Sequence, residues 1–363
     1  MEKIKIGDVC DILNGYAFKS ENYVDSGIRI IRIANVQKGY IEDTSPAFYP
    51  LNATGLDRYR LVKNDLLISL TGNVGRVALL DQSLLPAALN QRVACLRLKT
   101  DKVTKKYLYH ILNSDFFERQ CIQAAKGVAQ KNMSTEWLKD YEIPLCAKEE
   151  QEKIIKVLDC VQRIIVNYKQ GLQKLDELVK SRFIEMFGDP LKNDKGLPMI
   201  LGEALFKLSN GKALPNSKRF TEGIPAYGGN GVSWYTDEVL CDYDTIIIGR
   251  VGFQSGNVHL AEAPLWVTDN AMYISNIYSK DCDIRFLCAL MEHLDFTRYQ
   301  DAGDLKKITQ KPFMQMQYLM PPISLQKQYI AFVEQVDKSK IAVQQALDKS
   351  QLLFNSLMQK YFG

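Results

Sequence analysis

EEQEKIIKVLDCVQRIIVNYKQGLQKLDELVKSRFIEMFG (Glu149–Gly188) and SLQKQYIAFVEQVDKSKIAVQQALDKSQLLFNSLMQKYFG (Ser324–Gly363) are one pattern written twice. In the first, Ile154, Leu158, Val161, Ile165, Tyr168, Leu172, Leu175 and Val179 recur at alternating steps of four and three. In the second, 175 positions later (329 − 154), stand Tyr329, Val333, Val336, Lys340, Val343, Leu347, Ser350 and Phe354. Six of these eight stay apolar, and SRFIEMFG at Ser181–Gly188 answers SLMQKYFG at Ser356–Gly363 at the same offset. An apolar 4,3 repeat over more than three heptads predicts a long helix that buries one stripe against a partner helix. Roughly forty residues at a rise of 1.5 Å make each helix about 60 Å long. Each buried Leu or Ile of the stripe contributes about 1.5–3 kcal/mol. Lys340 and Ser350 interrupt the second stripe; polar seam residues cost stability but can set register.

The partner nearest to hand is the other helix of the same chain. Periodicity leaves open an antiparallel pair, a parallel pair and a plain oligomerisation helix. The repeat of the helix together with what precedes it argues against the last, since one copy would suffice for dimerisation.

Working outward, each helix is preceded by a strand-rich head. ILNGYAF at Ile12–Phe18 is answered by LSNGKAL at Leu208–Leu214, and NDLLISLTGNVG at Asn64–Gly75 by DTIIIGRVG at Asp244–Gly252. Short apolar runs at Ile28–Ile33, Leu66–Leu70 and Val93–Leu98 predict strands, punctuated by Gly and Asn. Helical spacing predicts one helix from Lys105 to about Gln123 and another over Ile284–Phe296. Prolines 144, 321 and 322 mark the exits from the heads, because proline resists continuing regular structure. Gly188–Pro198, rich in Gly, Pro and Asp, is a linker by composition. The division is therefore a first head over 1–147, a long helix and linker over 148–190, a second head over 191–322 and a closing helix over 323–363. The expected class is α+β, two β-rich heads with an internal pseudo-two-fold repeat.

Composition narrows the function. A net charge of +4 permits nucleic acid as a partner without demonstrating it. Eight cysteines with no Cys-x-x-Cys pair, and only His110, His259 and His293, give no zinc-ligand spacing. The cysteines read as reduced thiols of a cytoplasmic protein. The opening MEKIKIGDVC lacks the apolar core of a signal peptide, and no apolar run reaches the roughly 18 residues of a membrane helix. No Gly-x-x-x-x-Gly-Lys-Ser/Thr loop is present. Met320-Pro321-Pro322-Ile323 lacks the polar and aromatic ends of an amino-methyltransferase motif. No Ser/His/Asp set is credible. These absences argue against ATP use and against a DNA-modifying or DNA-cutting enzyme acting alone, and no cofactor is expected.

The chain resembles the specificity (S) subunits of type I restriction-modification systems. The residues that carry the resemblance are GIPAYGGNG at Gly223–Gly231, IIIGRVG at Ile246–Gly252 and WVTDNAMYI at Trp266–Ile274. To these are added KGVAQKNMSTEWLKDYEIPL at Lys126–Leu145 running into EEQEKI, and LKKITQKPFMQMQYLMPPISLQKQYI at Leu305–Ile330. Gln151 and Gln326 fall at equivalent places (326 − 151 = 175). Each motif is loose; their order, twice over, is specific. The resemblance implies two target recognition domains, each reading half of a bipartite site in double-stranded DNA. It implies an antiparallel coiled coil that sets the spacer and docks two adenine-N6 methyltransferase subunits. ATP-dependent restriction subunits would complete the enzyme. A coiled-coil interaction scaffold without DNA specificity is the competing class.

Arg reads guanine and Asn or Gln reads adenine through paired hydrogen bonds, while Lys mostly holds phosphate. On that chemistry the candidates in the first head are Lys19, Arg32, Asn35, Arg76, Gln91, Arg92, Lys126, Gln130 and Lys131. In the second they are Lys218, Arg219, Tyr227, Asn230, Arg250, Gln254, Lys306, Lys307 and Lys311. Arg76 and Arg250 share a Gly-rich setting at the end of equivalent strands, which favours them as base readers. Asn90 and Asn270 read as turn caps, and Tyr227, Trp234 and Trp266 as core.

Overall fold

The computed structural model describes residues 2–125, 132–301, 303 and 306–363. It divides into two compact units, Met1–Lys169 with Gln345–Gly363, and Gln170–Gln344. Each unit holds one head and one half of each long helix.

The first head runs β1 (Glu2–Lys5), α1 (Ile6–Val9), β2 (Cys10–Asn14), β3 (Ile28–Ile31), β4 (Phe48–Tyr49), β5 (Arg60–Leu61), β6 (Leu66–Ser69), β7 (Val77–Leu79), β8 (Ala87–Leu89) and β9 (Val93–Leu98). It continues through α2 (Lys105–Leu112), α3 (Asp115–Ala124), α4 (Thr135–Asp140) and β10 (Glu142–Leu145) into the long α5 (Lys148–Phe187). An antiparallel sheet in the order β2-β9-β6-β7 forms its centre. Side chains alternate along a strand, so Leu66, Ile68, Ala94 and Leu96 face the helices while Leu67, Val93 and Cys95 face a second sheet, β4-β3-β8-β5. Burial on both faces is why these strands read as unbroken apolar runs.

The second head repeats this plan with β11 (Met199–Leu201), α6 (Gly202–Leu205), β12 (Phe206–Asn210), β13 (Ile224–Gly228), β14 (Gly231–Thr236), β15 (Thr245–Gly249), β16 (Val258–Ala261), β17 (Trp266–Val267) and β18 (Ala271–Ile277). Then come α7 (Ile284–Glu292), α8 (Lys311–Gln315), β19 (Gln317–Leu319) and the long α9 (Ile323–Phe362). Its sheet order β12-β18-β15-β16 matches the first, and its smaller sheet is β14-β13-β17. Both smaller sheets contain one parallel pair, β3 with β8 and β13 with β17. In both heads the first strand pairs with the last, β1 with β10 and β11 with β19. The repeated Asn-Gly has a steric cause: a Cβ on Gly15 would stand 2.1 Å from the Asn90 carbonyl oxygen, and one on Gly211 2.1 Å from that of Thr268.

The long helices are 40 residues each. In the first unit the start of α5 (Ile154, Leu158) shares a core with the end of α9 (Met358, Phe362). In the second, the end of α5 (Phe183, Phe187) shares one with the start of α9 (Tyr329, Ile330). The pairing is antiparallel. All of Ile154, Leu158, Val161, Ile165, Tyr168, Leu172, Leu175, Val179, Tyr329, Val333, Val336, Val343, Leu347 and Phe354 are buried or half-buried. Lys340 leaves the stripe to pair with Asp176 at 2.7 Å, and Ser350 donates to the Ala346 carbonyl at 2.8 Å.

The expected helix from Lys105 to Gln123 is two helices. Ser114 donates to the Ile111 carbonyl (2.7 Å) and caps α3 by accepting from the Phe117 N–H (3.1 Å), which offers the backbone a turn in place of a continued helix. The Ile284 helix likewise stops at Glu292, before Asp295 in a left-handed conformation caps a short 3₁₀ turn at Phe296–Tyr299.

Gln151 and Gln326 are both fully buried, and each fastens a long helix to its head. Gln151 accepts from the Thr104 N–H (2.9 Å) and donates to the Lys102 and Cys146 carbonyls (2.8 and 3.0 Å). Gln326 accepts from the Asp283 N–H (2.9 Å) and donates to the Asp281 and Pro321 carbonyls (2.8 Å each).

Candidate nucleic-acid interface

In each head a glycine-bearing loop follows the central strand and is closed by matching bonds. In the first, Gly75 N–H donates to Ser69 O (3.0 Å), Leu70 N–H to Arg92 O (3.0 Å), and Thr71 bridges to Asn132. In the second, Gly256 N–H donates to Gly249 O (2.8 Å), Arg250 N–H to Asn270 O (2.9 Å), and Val251 bridges to Lys307. Gly72 and Gly75 have φ of +65° and +81°; their counterparts Gly252 and Gly256 have +91° and +94°.

These bonds show that Arg76 and Arg250, alike in their Gly-rich setting, do not occupy equivalent places. Arg250 N–H bonds as Leu70 N–H does, while the Ser69 N–H to Arg76 O bond (3.0 Å) matches Gly249 N–H to Asn257 O (2.8 Å). The second loop spans seven steps between closing residues where the first spans six, so aligning the glycines of the two motifs by eye matches opposite limbs. The two arginines enter from opposite sides of equivalent loops.

Around the first loop stand Arg76, whose guanidinium donates to Gln37 Oε1, and the exposed Gln91 and Arg92. Asn90 behaves as a turn cap, accepting from the Arg92 N–H at 3.3 Å. Asn35 is 5% exposed; its Oδ1 accepts from the Arg32 N–H and its Nδ2 donates to Glu42 O. Both ends of its amide are therefore engaged within the head, and it is removed from the base-reading candidates. Arg32 donates to the Ser45 carbonyl, and exposed Lys19 lies 3.8 Å from Glu21. Lys126, Gln130 and Lys131 lie outside the described residues.

Around the second loop the structure gathers Arg250, Gln254, Lys306, Lys307 and the β13–β14 turn. Gly252 N–H donates to Lys306 O (2.8 Å) and Ile308 N–H to Arg250 O (3.0 Å). A Cβ on Gly229 would lie 3.3 Å from the Gly249 Cα, which places the neighbouring, exposed Asn230 beside the loop. Arg250 Nη1 donates to Asp269 O at 3.3 Å, and Gln254 accepts from Asn257. Burial pushes the His259 imidazole below its ordinary value, partly offset by its bond to the Gly229 backbone. Tyr227 is half-buried, packed on Val267 and Leu265 as expected of core. Lys218 pairs with Glu238, and Arg219 lies 5.3 Å over the Trp234 ring. Among the described residues no hydrogen bond joins these two or Lys311, at the start of α8, to the loop cluster.

The sequence reading passed over Phe253. It sits at the tip of the second loop, 88% exposed. Its signal in the sequence is Gly252-Phe253-Gln254-Ser255-Gly256, an aromatic bracketed by glycines, which the chemistry of basic and amide side chains does not pick out. Among the described residues no group of His, Cys, Asp and Glu could hold a metal ion, and no helix is long and apolar enough to cross a membrane.

Duplicated heads, each closed on antiparallel segments of the two long helices, define a class of two-headed proteins with an internal repeat. Residues 1–177 match the type I restriction modification DNA specificity domain. Over that stretch, just under half of the chain, the sequence is similar to the type I restriction-modification specificity family, the family it resembles. It is 32% identical over 163 residues to the EcoAI specificity subunit of Escherichia coli, a match covering 44% of this chain and 28% of that protein's length. To the EcoprrI specificity subunit of Escherichia coli it is 22% identical over 360 residues, 92% of this chain and 87% of the relative. Its fold is similar over 100% of the chain to 96% of the type I restriction-modification S subunit from M. genitalium, with a TM-score of 0.62 at 19% identity.

Proposed function

We propose that this chain is the DNA specificity subunit of a type I restriction-modification enzyme. Each head reads one half of a bipartite duplex site, and the paired helices set the spacer between the halves. The chain performs no catalysis itself. Two adenine-N6 methyltransferase subunits dock on it, and ATP-dependent restriction subunits complete the enzyme.

The observation that carries this reading is the same loop built twice, each time bordered by Arg with Asn or Gln, within heads joined by one helix pair. Guanidinium and amide groups are the ones that distinguish base edges, and flanking lysines serve phosphate. Two heads multiply discrimination, since each mismatched pair costs roughly 1–3 kcal/mol. Docking is supported by apolar side chains that the helix pair leaves in water, among them Val157, Ile164, Val166, Ile341 and Leu352.

The test is a map of methylated adenines in the host genome with and without the gene. The expected result is a split motif, methylated in both halves, that disappears with the gene. An unchanged methylation map, together with DNA binding that shows no steep loss with salt, would remove the reading. Purified chain with S-adenosylmethionine and DNA but no partner is expected to transfer no methyl group.

A further inference from the structure

We propose that Phe253 is a wedge that the second head inserts into the base stack of its half-site, and that the first head has no such wedge. This rests on the DNA-reading function above and says how one half-site is gripped. Among the described residues Phe253 is the most exposed large apolar side chain, at 88%. It is not on a loose loop. Gly252 N–H is bonded to Lys306 O, Ser255 N–H to Gly252 O and Gly256 N–H to Gly249 O, at 2.8, 3.0 and 2.8 Å. Gln300 Nε2 holds the Ser255 carbonyl at 2.6 Å. A phenyl ring held in water by a pinned backbone contributes nothing to the core and forgoes the gain of burial.

The company it keeps points to duplex DNA. Arg250, Lys306 and Lys307 supply cations, and Asn230 and Gln254 supply amides, on segments bonded to or packed on the same loop. Cations can hold phosphates while an apolar side chain enters between bases and unstacks one step. Among the described residues the first head lacks the device. Its loop is one residue shorter between the closing bonds, and its apolar residue, Val74, is turned into the core at 2% exposed, leaving polar Asn73 outside.

The experiment uses the chain assembled with its methyltransferase subunits on duplexes of the mapped site, with 2-aminopurine placed in turn at each position outside the target adenines. Target adenines are excluded because methyltransferases take them out of the stack in both halves. Fluorescence is expected to rise at one step in the second head's half and nowhere in the first head's half. Phe253→Ala is expected to abolish that rise and weaken binding about tenfold or more, while Phe253→Leu, which keeps an apolar wedge, retains most of it. Because the ring is in water, both variants are expected to melt as the wild type does. A wild-type complex that binds with no response in that half, or a Phe253→Ala complex that keeps the response and the affinity, overturns the wedge alone. Failure of the wild-type complex to bind the mapped site would instead strike the DNA-reading function.

Discussion

In the first head the loop after β6 turns its apolar residue, Val74, inward and offers Asn73 to water; in the second the loop after β15 offers Phe253. The frames are the same. Sheet order, parallel strand pair, loop-closing bonds and buried glutamine all recur. What differs at the loop is one residue of length and the side chains it redirects. The lesson is that a duplicated scaffold holds position while a loop tip changes chemistry, which is how two copies come to read different things. The same contrast holds at the head–helix junction. Asp159 of α5 pairs with Lys106, and Glu334 of α9, 175 positions on, pairs with Arg285. Among the described residues only the first of these ion pairs adds a histidine, His110, bonded to Asp159 at 2.9 Å, whereas His293 of the second head stacks on Phe183 of α5.

The largest effect is expected where the copies agree most. Gln151→Ala strands the Thr104 N–H and two carbonyls in the interior, and Gln326→Ala does the same at Asp283 and its neighbours. An unsatisfied buried group costs about 1–3 kcal/mol, so each variant is expected to lose about 3 kcal/mol. Hydrogen exchange on the intact chain should quicken at 101–104 for Gln151→Ala and at 281–283 for Gln326→Ala. Equal quickening at both places from either variant would break the picture of two separately closed units.

Next come the loops. Gly75→Ala puts a Cβ 2.8 Å from that of Cys121 at φ +81°, and Gly256→Ala one 3.1 Å from the Phe296 backbone at φ +94°. Each is expected to cost about 2 kcal/mol, read as a fall in the urea midpoint. Tolerance at one position and not the other would undo the equivalence of the loops. Smaller still is Arg250→Ala, expected to weaken binding by about 1.5 kcal/mol and relax one base position. Equal weakening on scrambled DNA would leave Arg250 a phosphate contact.

The large architecture was legible because it rests on periodicity. The 4,3 stripe located both helices, and runs buried on both faces located β6, β9 and β15. Asn14-Gly15 and Asn210-Gly211 were visible as a repeat, while their reason, a backbone approach too close for any Cβ, was not. The site was less legible. Loop register is set by hydrogen bonds between residues far apart in sequence, so a shared Gly-rich setting does not reveal that Arg76 and Arg250 lie on opposite limbs. Asn35 is polar and near the loops, yet only its partners reveal that its amide serves the fold.

The smallest expected effect tests the histidine that joins the first junction's ion pair. Burial outweighs the pull of Asp159 and, with Lys106 acting in the same sense as burial, holds the His110 imidazole below its ordinary value of 6.5. The fold therefore prefers the neutral ring, and the unfolded chain takes up the proton first as pH falls. Between the two values the unfolded state binds more protons, so stability rises with pH there. His110's contribution is complete above about 6.5 and is lost as pH falls through the folded value. The difference in melting temperature between wild type and His110→Gln is expected to narrow as pH drops from about 7.5 toward 5. His259 and His293, also lowered by burial in the second unit, remain in both proteins and cancel from this difference. A difference that widens on acidification would mean that the Asp159 carboxylate wins over burial, and that the first junction is tightened by acid.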